Sequence, residues 1–488
     1  MINKYHRLIA YYLAIFIIMV GIIQFLPLIV LPFYPDEVSY AWCFLVPGAV
    51  AIGVGWLIRY LLRDTEIVKL EKHYDAVLVV LVWLTAILIS TVPWMLKGDY
   101  NFSQAAFEMT SGYSTTGLTV VDTDNTPHVF LMFRSISLFV GGVGLVLILT
   151  CAFSDKYGLN LYNAEGHNDR LMPNLAKSAQ LILSIYTVYI IAGTVAYVLL
   201  GMPLFDAINT AIAALSTGGF SVINESIYGY HSLGIEIVSM ILMLLGMTNF
   251  MLHLSFLKKR FGNIWKHSET KFFVAVVAII IPLMCYDMLK SGFAANFGES
   301  LRYSLFQFVT CITTTGFVSV KSLAILPSGF ITLMILLMLF GGDLESTGGG
   351  IKQYRIIVTL KGIYRSIKNT ILNRKMVTTD FIERVGKRYE LTQSEISSTS
   401  SYVLFYLILL FAGSFIFTLE GYSLQDSMFE FCSAVCTVGL SVGITGYHAS
   451  KLILWTANVG MFLGRLEIMV VFEAILRLFK DFRERERN

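Results

Sequence analysis

The stretch "CITTTGFVSV", Cys311 to Val320, interrupts a chain that is otherwise rich in apolar runs. Hydroxyls, β-branched residues and a glycine stand where a lipid-exposed helix would leave backbone groups without partners. The pattern recurs three more times, in "FSQAAFEMTSGYSTTGLTV", "LFDAINTAIAALSTGGFSV" and "LQDSMFEFCSAVCTVGLSV". Each segment ends in threonine, any residue, glycine and a hydrophobic residue, at Thr115-Thr116-Gly117, Thr217-Gly218-Gly219, Thr314-Thr315-Gly316 and Thr437-Val438-Gly439. Ten residues before each glycine stand Phe107, Asn209, Phe306 and Phe429, so the register runs back through the preceding helix. A unit recurring about every 100 residues signals a repeat architecture about an axis.

The 488 residues are 56% hydrophobic and only 14% charged, which excludes an ordinary soluble domain and makes this an integral membrane protein. Apolar runs long enough for roughly 30 Å of hydrocarbon fall near 8–33, 40–62, 74–96, 127–152, 175–201, 232–255, 269–289, 326–363, 398–418 and 450–479. They predict ten spans, the first retained because no signal-peptidase site follows it. After the first two, one rhythm repeats four times: a long apolar helix, a short amphipathic helix, a polar glycine turn and a second long helix. The predicted fold is an all-α polytopic membrane protein, with four pseudo-symmetric helix–pore helix–filter loop–helix repeats around one pore. The units are 1–72 (the two extra helices), 73–165, 166–266, 267–397 and 398–488.

Net charge, +3, says little, but the placement of basic residues gives topology. They collect before residue 8, at Arg59–Lys72, Lys156–Lys177, Lys258–Lys271 and Lys352–Arg388, and after Arg477. The opposite ends carry Lys97 and Lys321 beside Asp36, Glu37, Asp122 and Asp124. Both termini are therefore expected in the cytoplasm. The polar stretch 363–397 reads as a cytoplasmic connection, not a domain, and "RLFKDFRERERN" as a solvated helix end.

Several chemistries are excluded. The six cysteines show neither a disulfide framework nor metal-ligand pairing, with Cys432 and Cys436 read as small packed residues, and the eight histidines form no HExxH motif. "STGGGIK", Ser346 to Lys352, lacks the GK[ST] ending of a phosphate loop and lies in a hydrophobic span. No nucleophile with a base stands in the spans, so the chain is not expected to be an enzyme, nor to bind nucleic acid.

Backbone that leaves a helix at membrane depth costs several kcal/mol per unsatisfied group unless it is buried in protein or lines water. Four such departures around an axis share a compensation if their carbonyls face a dehydrated cation. Glycine permits that turn without Cβ strain, and threonine hydroxyls join the ring or pin the loop. The C-terminal end of each short helix, aimed at the axis, favours positive charge.

In these segments the sequence resembles the Trk/Ktr/HKT superfamily of potassium transporters, most closely its TrkH/TrkG type. The resemblance covers nearly the whole chain. Its marks are the four glycine turns, "FRSISLFVGGVG" (Phe133–Gly144), "GMTNFMLHL" (Gly246–Leu254), "GGDLESTGGGIK" (Gly341–Lys352) and "GRLEI" (Gly464–Ile468). It implies Gly117, Gly219, Gly316 and Gly439 as filter glycines; Gly218 is an alternative in the second repeat, although Phe220 in register with Phe317 favours Gly219. Thr115, Thr116, Thr217, Thr314, Thr315, Thr437 and Val438 complete the expected filter, with potassium as its ion.

Span eight carries Gly341-Gly342 and Gly348-Gly349-Gly350, too many glycines for a stable lipid-facing helix. The resemblance implies an intramembrane gate loop below the filter; close helix packing through these glycines is the alternative. Asp343, Leu344 and Glu345 replace the family's usual small residues there, and the two carboxylates are expected to face the cavity and bias the gate. Arg465 lies mid-span, where a charge costs at least about 2.5 kcal/mol, and by resemblance opposes cations just below the filter. Glu467 stands only two positions away and faces elsewhere on a helix, which disfavours a direct pair. Arg134, nearer the outer end of its span, is expected to support the filter.

The resemblance implies potassium uptake across the cytoplasmic (inner) membrane, a homodimer in the lipid bilayer, and a cytosolic nucleotide-binding regulatory subunit of the TrkA type. No organic cofactor is expected in this chain. The alternative is a sodium- or proton-coupled potassium symporter. One glycine turn per repeat makes a short filter, with fewer sites and incomplete selectivity over sodium expected.

Overall fold

The computed structural model describes residues 2–65, 74–144, 175–372 and 380–486. Most of the basic segment 156–177 and the far end of the 127–152 span lie outside the described residues. Helices α1 (Ile2–Ile23) and α2 (Ala41–Leu61) pack together and against α3 (Tyr74–Lys97). Their backbones meet at small residues: a Cβ on Gly21 would lie 2.8 Å from the carbonyl oxygen of Gly48.

Each repeat opens with a long apolar helix, namely α3, α6 (Leu175–Leu199), α11 (Ser268–Lys290) and α15 (Gln393–Leu419). A short helix follows: α4 (Phe102–Tyr113), α7 (Leu204–Leu215), α12 (Phe297–Ile312) or α16 (Leu424–Val435). Three of the four are 12 residues long, about 18 Å at 1.5 Å per residue and short of the bilayer core. Local sequence sets where they start. Asn101 and Gln104 form a reciprocal capping box, at 3.0 and 3.1 Å. The side chains of Asn296 and Ser423 accept from the N–H groups of Glu299 (2.9 Å) and Asp426 (3.1 Å), and Pro203 precedes α7.

Two of the returning helices depart from expectation, whereas the third breaks at the glycine cluster singled out in its sequence. Instead of uninterrupted spans, α8 (Leu233–Met247) bends by 108° into α9 (Phe250–Leu257), and α10 (Gly262–Lys266) leads on to α11. In the third repeat α13 (Ser328–Phe340) is separated from α14 (Gln353–Leu372) by a loop, and in the fourth α17 (Lys451–Arg465) breaks before α18 (Ile468–Glu486). In the first, α5 (His128–Val143) reaches the limit of the described residues. Among the described residues six helices, or seven counting the bent pair, are long and apolar enough to cross a membrane. The ten apolar runs correspond in part to broken helices, because both halves of a broken helix stay hydrophobic.

One addition to the all-α reading lies in the 363–397 connection. Strands β1 (Asp380–Arg384) and β2 (Lys387–Leu391) pair antiparallel through a two-residue turn at Val385-Gly386, both at positive φ (47° and 76°).

Side chains join the repeats at their edges. The amide of Asn224 donates to Asp122 (2.7 Å) and Asp124 (2.9 Å), and its carbonyl accepts from Thr123 N–H (2.9 Å). The amides of Asn125 and Asn224 hold the Asp122 carboxyl below its usual range. Gln104 donates to the Tyr447 carbonyl (2.8 Å), linking the first repeat to the fourth, where Tyr74 on α3 also donates to Asp481 on α18 (2.8 Å). Between the second and third, Arg302 forks onto buried Glu236 at 2.8 and 2.7 Å. Arg302→Ala leaves that carboxylate without its bidentate partner; the expected cost is about 1–2 kcal/mol, discounted for the half-exposed arginine. It should appear as a lower melting temperature in detergent, and an unchanged one would refute the assignment.

Candidate functional site: a fourfold backbone ring and the loop beneath it

Each short helix ends the same way. Thr115, Thr217, Thr314 and Thr437 all adopt the left-handed conformation, with φ of 53°, 51°, 55° and 52°. Two residues later Gly117, Gly219, Gly316 and Gly439 again have positive φ. A left-handed threonine costs roughly 1–2 kcal/mol, strain that persists only where surroundings over-determine it. The register settles the second repeat: Gly219 has the ring conformation, at φ 63°, and Gly218 takes the middle position of Thr116, Thr315 and Val438.

The four turns close a circuit. A Cβ built on Gly117 would lie 2.5 Å from the carbonyl oxygen of Gly218. On Gly219 it would lie 2.0 Å from that of Thr315, on Gly316 1.9 Å from that of Val438, and on Gly439 2.1 Å from that of Thr116. Each glycine therefore lies against the middle carbonyl of the next repeat, in chain order, and the fourth returns to the first. Only glycine fits at this separation. The ring amides are held from behind: Gly117, Gly316 and Gly439 donate to the hydroxyls of Ser111 (3.0 Å), Thr310 (3.1 Å) and Ser433 (3.0 Å). Ala213 occupies that place in the second repeat, and Gly219 N–H turns to its carbonyl at 3.4 Å. These hydroxyls, six residues before each glycine, were missed in the sequence; their recurrence in three repeats was the signal.

Below the ring, residues 341–352 form a largely buried loop that touches the second, third and fourth repeats. Gly349 N–H donates to Thr314 Oγ1 (2.6 Å), Gly350 N–H to the Cys436 carbonyl at the end of α16 (3.1 Å), and Thr217 Oγ1 to Thr347 Oγ1 (3.2 Å). A Cβ on Gly349 would sit 2.1 Å from Thr437 Oγ1, and one on Gly348 3.2 Å from the Thr313 carbonyl. Gly341 (φ 65°) and Gly350 (φ 76°) lie against each other at the base, where Gly342 N–H donates to the Gly349 carbonyl at 3.3 Å. Arg465 completes the circle: it donates to Thr115 Oγ1 (3.3 Å), to the carbonyls of Thr347 (3.1 Å) and Gly142 (3.3 Å), and to that of Gly141.

The two loop carboxylates separate. Glu345 lines a cavity of about 60 Å³ with Lys352, Arg465, Glu467, Thr437 and Gly349, and lies 3.9 Å from Arg384 at the end of β1. Asp343 does not face that cavity, contrary to expectation. It accepts from Asn249 N–H at 3.3 Å, and its own N–H donates to the Met247 carbonyl at 3.1 Å. In an extended loop the two side chains would share a side, but Glu345 is left-handed (φ 59°), which turns the chain between them. Glu467 pairs with Arg355, whose guanidinium lies 4.1 Å from the Tyr402 ring centroid, not with Arg465. Lys352, read from sequence only as the end of a failed phosphate-loop match, is half-buried at the cavity and donates to the Gly348 carbonyl.

Behind the loop, Glu269 accepts from Leu344 N–H (2.7 Å) and lies 2.8 Å from His267, whose Nδ1 accepts from Val385 N–H at the hairpin turn (3.2 Å). The hairpin thus reaches the loop directly through Arg384 and indirectly through His267 and Glu269. Arg134 is buried beside the ring, donating to Glu108 (2.7 Å) and to the Ser221 carbonyl of the second repeat (2.8 Å).

Apolar helices long enough to cross a membrane, with four turns that close a ring of backbone between them, define a multi-pass helical membrane protein. Residues 44–478 match the TrkH family, described as a cation transport protein. The chain is 29% identical over 467 residues to an uncharacterized cation transporter of Methanocaldococcus jannaschii, covering 94% of this chain and 93% of that one. It is also 29% identical over 461 residues to the Trk system potassium uptake protein TrkG of Escherichia coli, with 91% and 92% covered. The crystal structure of the potassium transporter TrkH from Vibrio parahaemolyticus superposes with a TM-score of 0.84 at 23% identity, over 97% of this chain and 98% of that one. The chain belongs to the TrkH family of cation transport proteins.

The ring geometry separates two neighbouring glycines. A Cβ on Gly219 strikes backbone, whereas on Gly218 it meets only the Leu138 side chain, which can move. Gly219→Ala is expected to lower cation uptake at least about tenfold, and Gly218→Ala much less, since left-handed strain and a backbone clash act only at the first. Equal losses in a cellular uptake assay would contradict the register.

Proposed function

We propose that this protein conducts potassium into the cell through the ring formed at Gly117, Gly219, Gly316 and Gly439. The observation that carries the reading is the closed circuit of glycines against the next repeat's carbonyl oxygens. Carbonyls gathered about an axis replace the hydration shell of a weakly hydrated cation, and the short helices direct their negative ends there. Family membership and the potassium uptake relative from Escherichia coli support potassium as the ion. No covalent chemistry is required, and thus no catalytic residue.

In this reading residues 341–352 and Arg465 form the closed gate. They occupy the threonine oxygens on which a descending cation would rely, and the guanidinium opposes its charge. The basic face carrying Lys361, Arg365, Lys387 and Arg388 is cytoplasmic, as are both termini. The hairpin on that face latches the loop through Arg384–Glu345 and His267–Glu269–Leu344. A nucleotide-binding regulatory subunit of the TrkA type, docked on this face of a homodimer in the cytoplasmic membrane, is positioned to act on that latch.

Purified protein in proteoliposomes tests the conduction reading. Potassium and rubidium flux should exceed sodium flux, and Gly316→Ser should abolish the preference while protein yield is retained. Currents reversing at the potassium equilibrium potential support conduction, and a reversal displaced by a sodium or proton gradient would replace it with symport. For the gate, Arg384→Gln is expected to raise partner-free flux several-fold, because one latch contact is lost on a buried carboxylate. Unchanged flux would remove the hairpin from the gate.

A further inference from the structure

Nine residues before each ring glycine the repeats carry Glu108, Thr210, Gln307 and Glu430, all buried. In the first and fourth repeats the carboxylate reaches past the turn to the strand that leaves it. The Thr119 hydroxyl donates to both oxygens of Glu108 at 3.0 Å, and Val120 N–H to Oε2 at 3.1 Å. The Ser441 hydroxyl donates to Glu430 Oε1 at 2.6 Å and Val442 N–H to Oε2 at 2.8 Å. Thr119 and Ser441 both stand two residues after the ring glycine, Val120 and Val442 three after it, so the two braces are equivalent. In the third repeat Gln307 reaches only the Ser319 hydroxyl, at 3.5 Å, and its Oε1 has no hydrogen-bond partner.

The two carboxylates differ in charge compensation. Glu108 receives Arg134 Nε at 2.7 Å, and that guanidinium continues to the Ser221 carbonyl and lies 3.9 Å from the Phe220 ring centroid. Glu430 is satisfied by neutral donors: Ser441, Val442, and Thr445 through both its N–H (2.9 Å) and its hydroxyl. Among the described residues no basic side chain pairs with it. An acceptor-only carboxylate suits this set of donors, whereas an amide would turn an N–H₂ group toward some of them. Gly439, just before the braced strand, closes the ring against Thr116 of the first repeat, where the Glu108 brace stands.

We propose that Glu108 and Glu430 are positioning residues for ion discrimination, and that Glu430 holds the fourth-repeat side of the closure between the fourth and first repeats. Resting on the ring as the ion path, this inference adds which side chains set its width. With the Glu430 brace weakened, the strand from Ser441 to Thr445 is free to relax, the Gly439–Thr116 approach opens, and the ring accepts ions it should reject.

Full-length protein in proteoliposomes provides the test, with the potassium-to-sodium permeability ratio read from reversal potentials and melting temperature read alongside. Glu430→Gln should lower the ratio about tenfold, the scale of one lost charge-assisted hydrogen bond. Ser441→Ala, which removes one donor and leaves the carboxylate, should lower it less, in the same direction, and decides the matter if Glu430→Gln fails to fold. Ratios equal to wild type in both variants would overturn the inference while leaving the ring intact, provided Gly316→Ser still abolishes discrimination. If Gly316→Ser also keeps the wild-type ratio, the ring is not the ion path and both readings fall.

Discussion

The structure depends on one contact made four times, a glycine lying against the carbonyl oxygen of the next repeat. Its demands propagate outward. Close approach excludes a Cβ, and the left-handed threonine two residues earlier turns the chain out of its helix. The glycine N–H, removed from helical bonding, needs an acceptor, which Ser111, Thr310 and Ser433 supply from inside the preceding helix. That helix must stop halfway across the membrane, and its capped start fixes its length. Non-helical backbone in the four turns is tolerated because most of it is buried in protein, with Gly117 and Gly439 half-buried at the ring.

The loop below obeys the same constraint from the other side. Backbone N–H groups freed by the break between α13 and α14 find acceptors on the ring: Thr314 Oγ1 for Gly349, the Cys436 carbonyl for Gly350. Loop and ring thus satisfy each other, and moving the loop away requires new partners for both. Arg465 is held by carbonyl and hydroxyl oxygens of the first and third repeats, so the cost of a guanidinium at mid-membrane is met by the backbone of the elements it joins. The hairpin contacts through Arg384 and His267 carry this local balance to the face outside the membrane.

The ring was legible in the sequence because positive φ leaves a compositional trace. Glycine recurred where only glycine fits, and Phe220 in register with Phe317 pointed to Gly219 before its φ was known. The breaks at Thr248-Asn249 and Leu466-Glu467 were not, since apolar runs continue across both and hydropathy does not register direction. They do coincide with "GMTNFMLHL" and "GRLEI", two of the segments that carried the resemblance. The hairpin escaped because "DFIERVGKRYEL" mixes charge into short strands, leaving the positive-φ Val385-Gly386 turn as its one signal. Asp343 and Glu345 were both expected at the cavity because a carboxylate in such a loop is costly unless wet or paired, but Asp343 accepts from the Asn249 N–H instead.

Pseudo-symmetry within one chain permits what a true fourfold assembly does not. Among the described residues only the fourth repeat carries the arginine, only the third the glycine-rich loop beneath the ring, and only the first and fourth the carboxylates behind it. Four arginines brought to one axis would stand within a few ångströms of each other, and like charges at about 4 Å repel by about 4 kcal/mol per pair at an effective dielectric of 20. Four copies of the loop would compete for one ring of threonines. Divergence among repeats therefore lets a single cation and a single loop occupy a site that four repeats build, and the shared part of the pattern is confined to the residues whose backbone closes the ring.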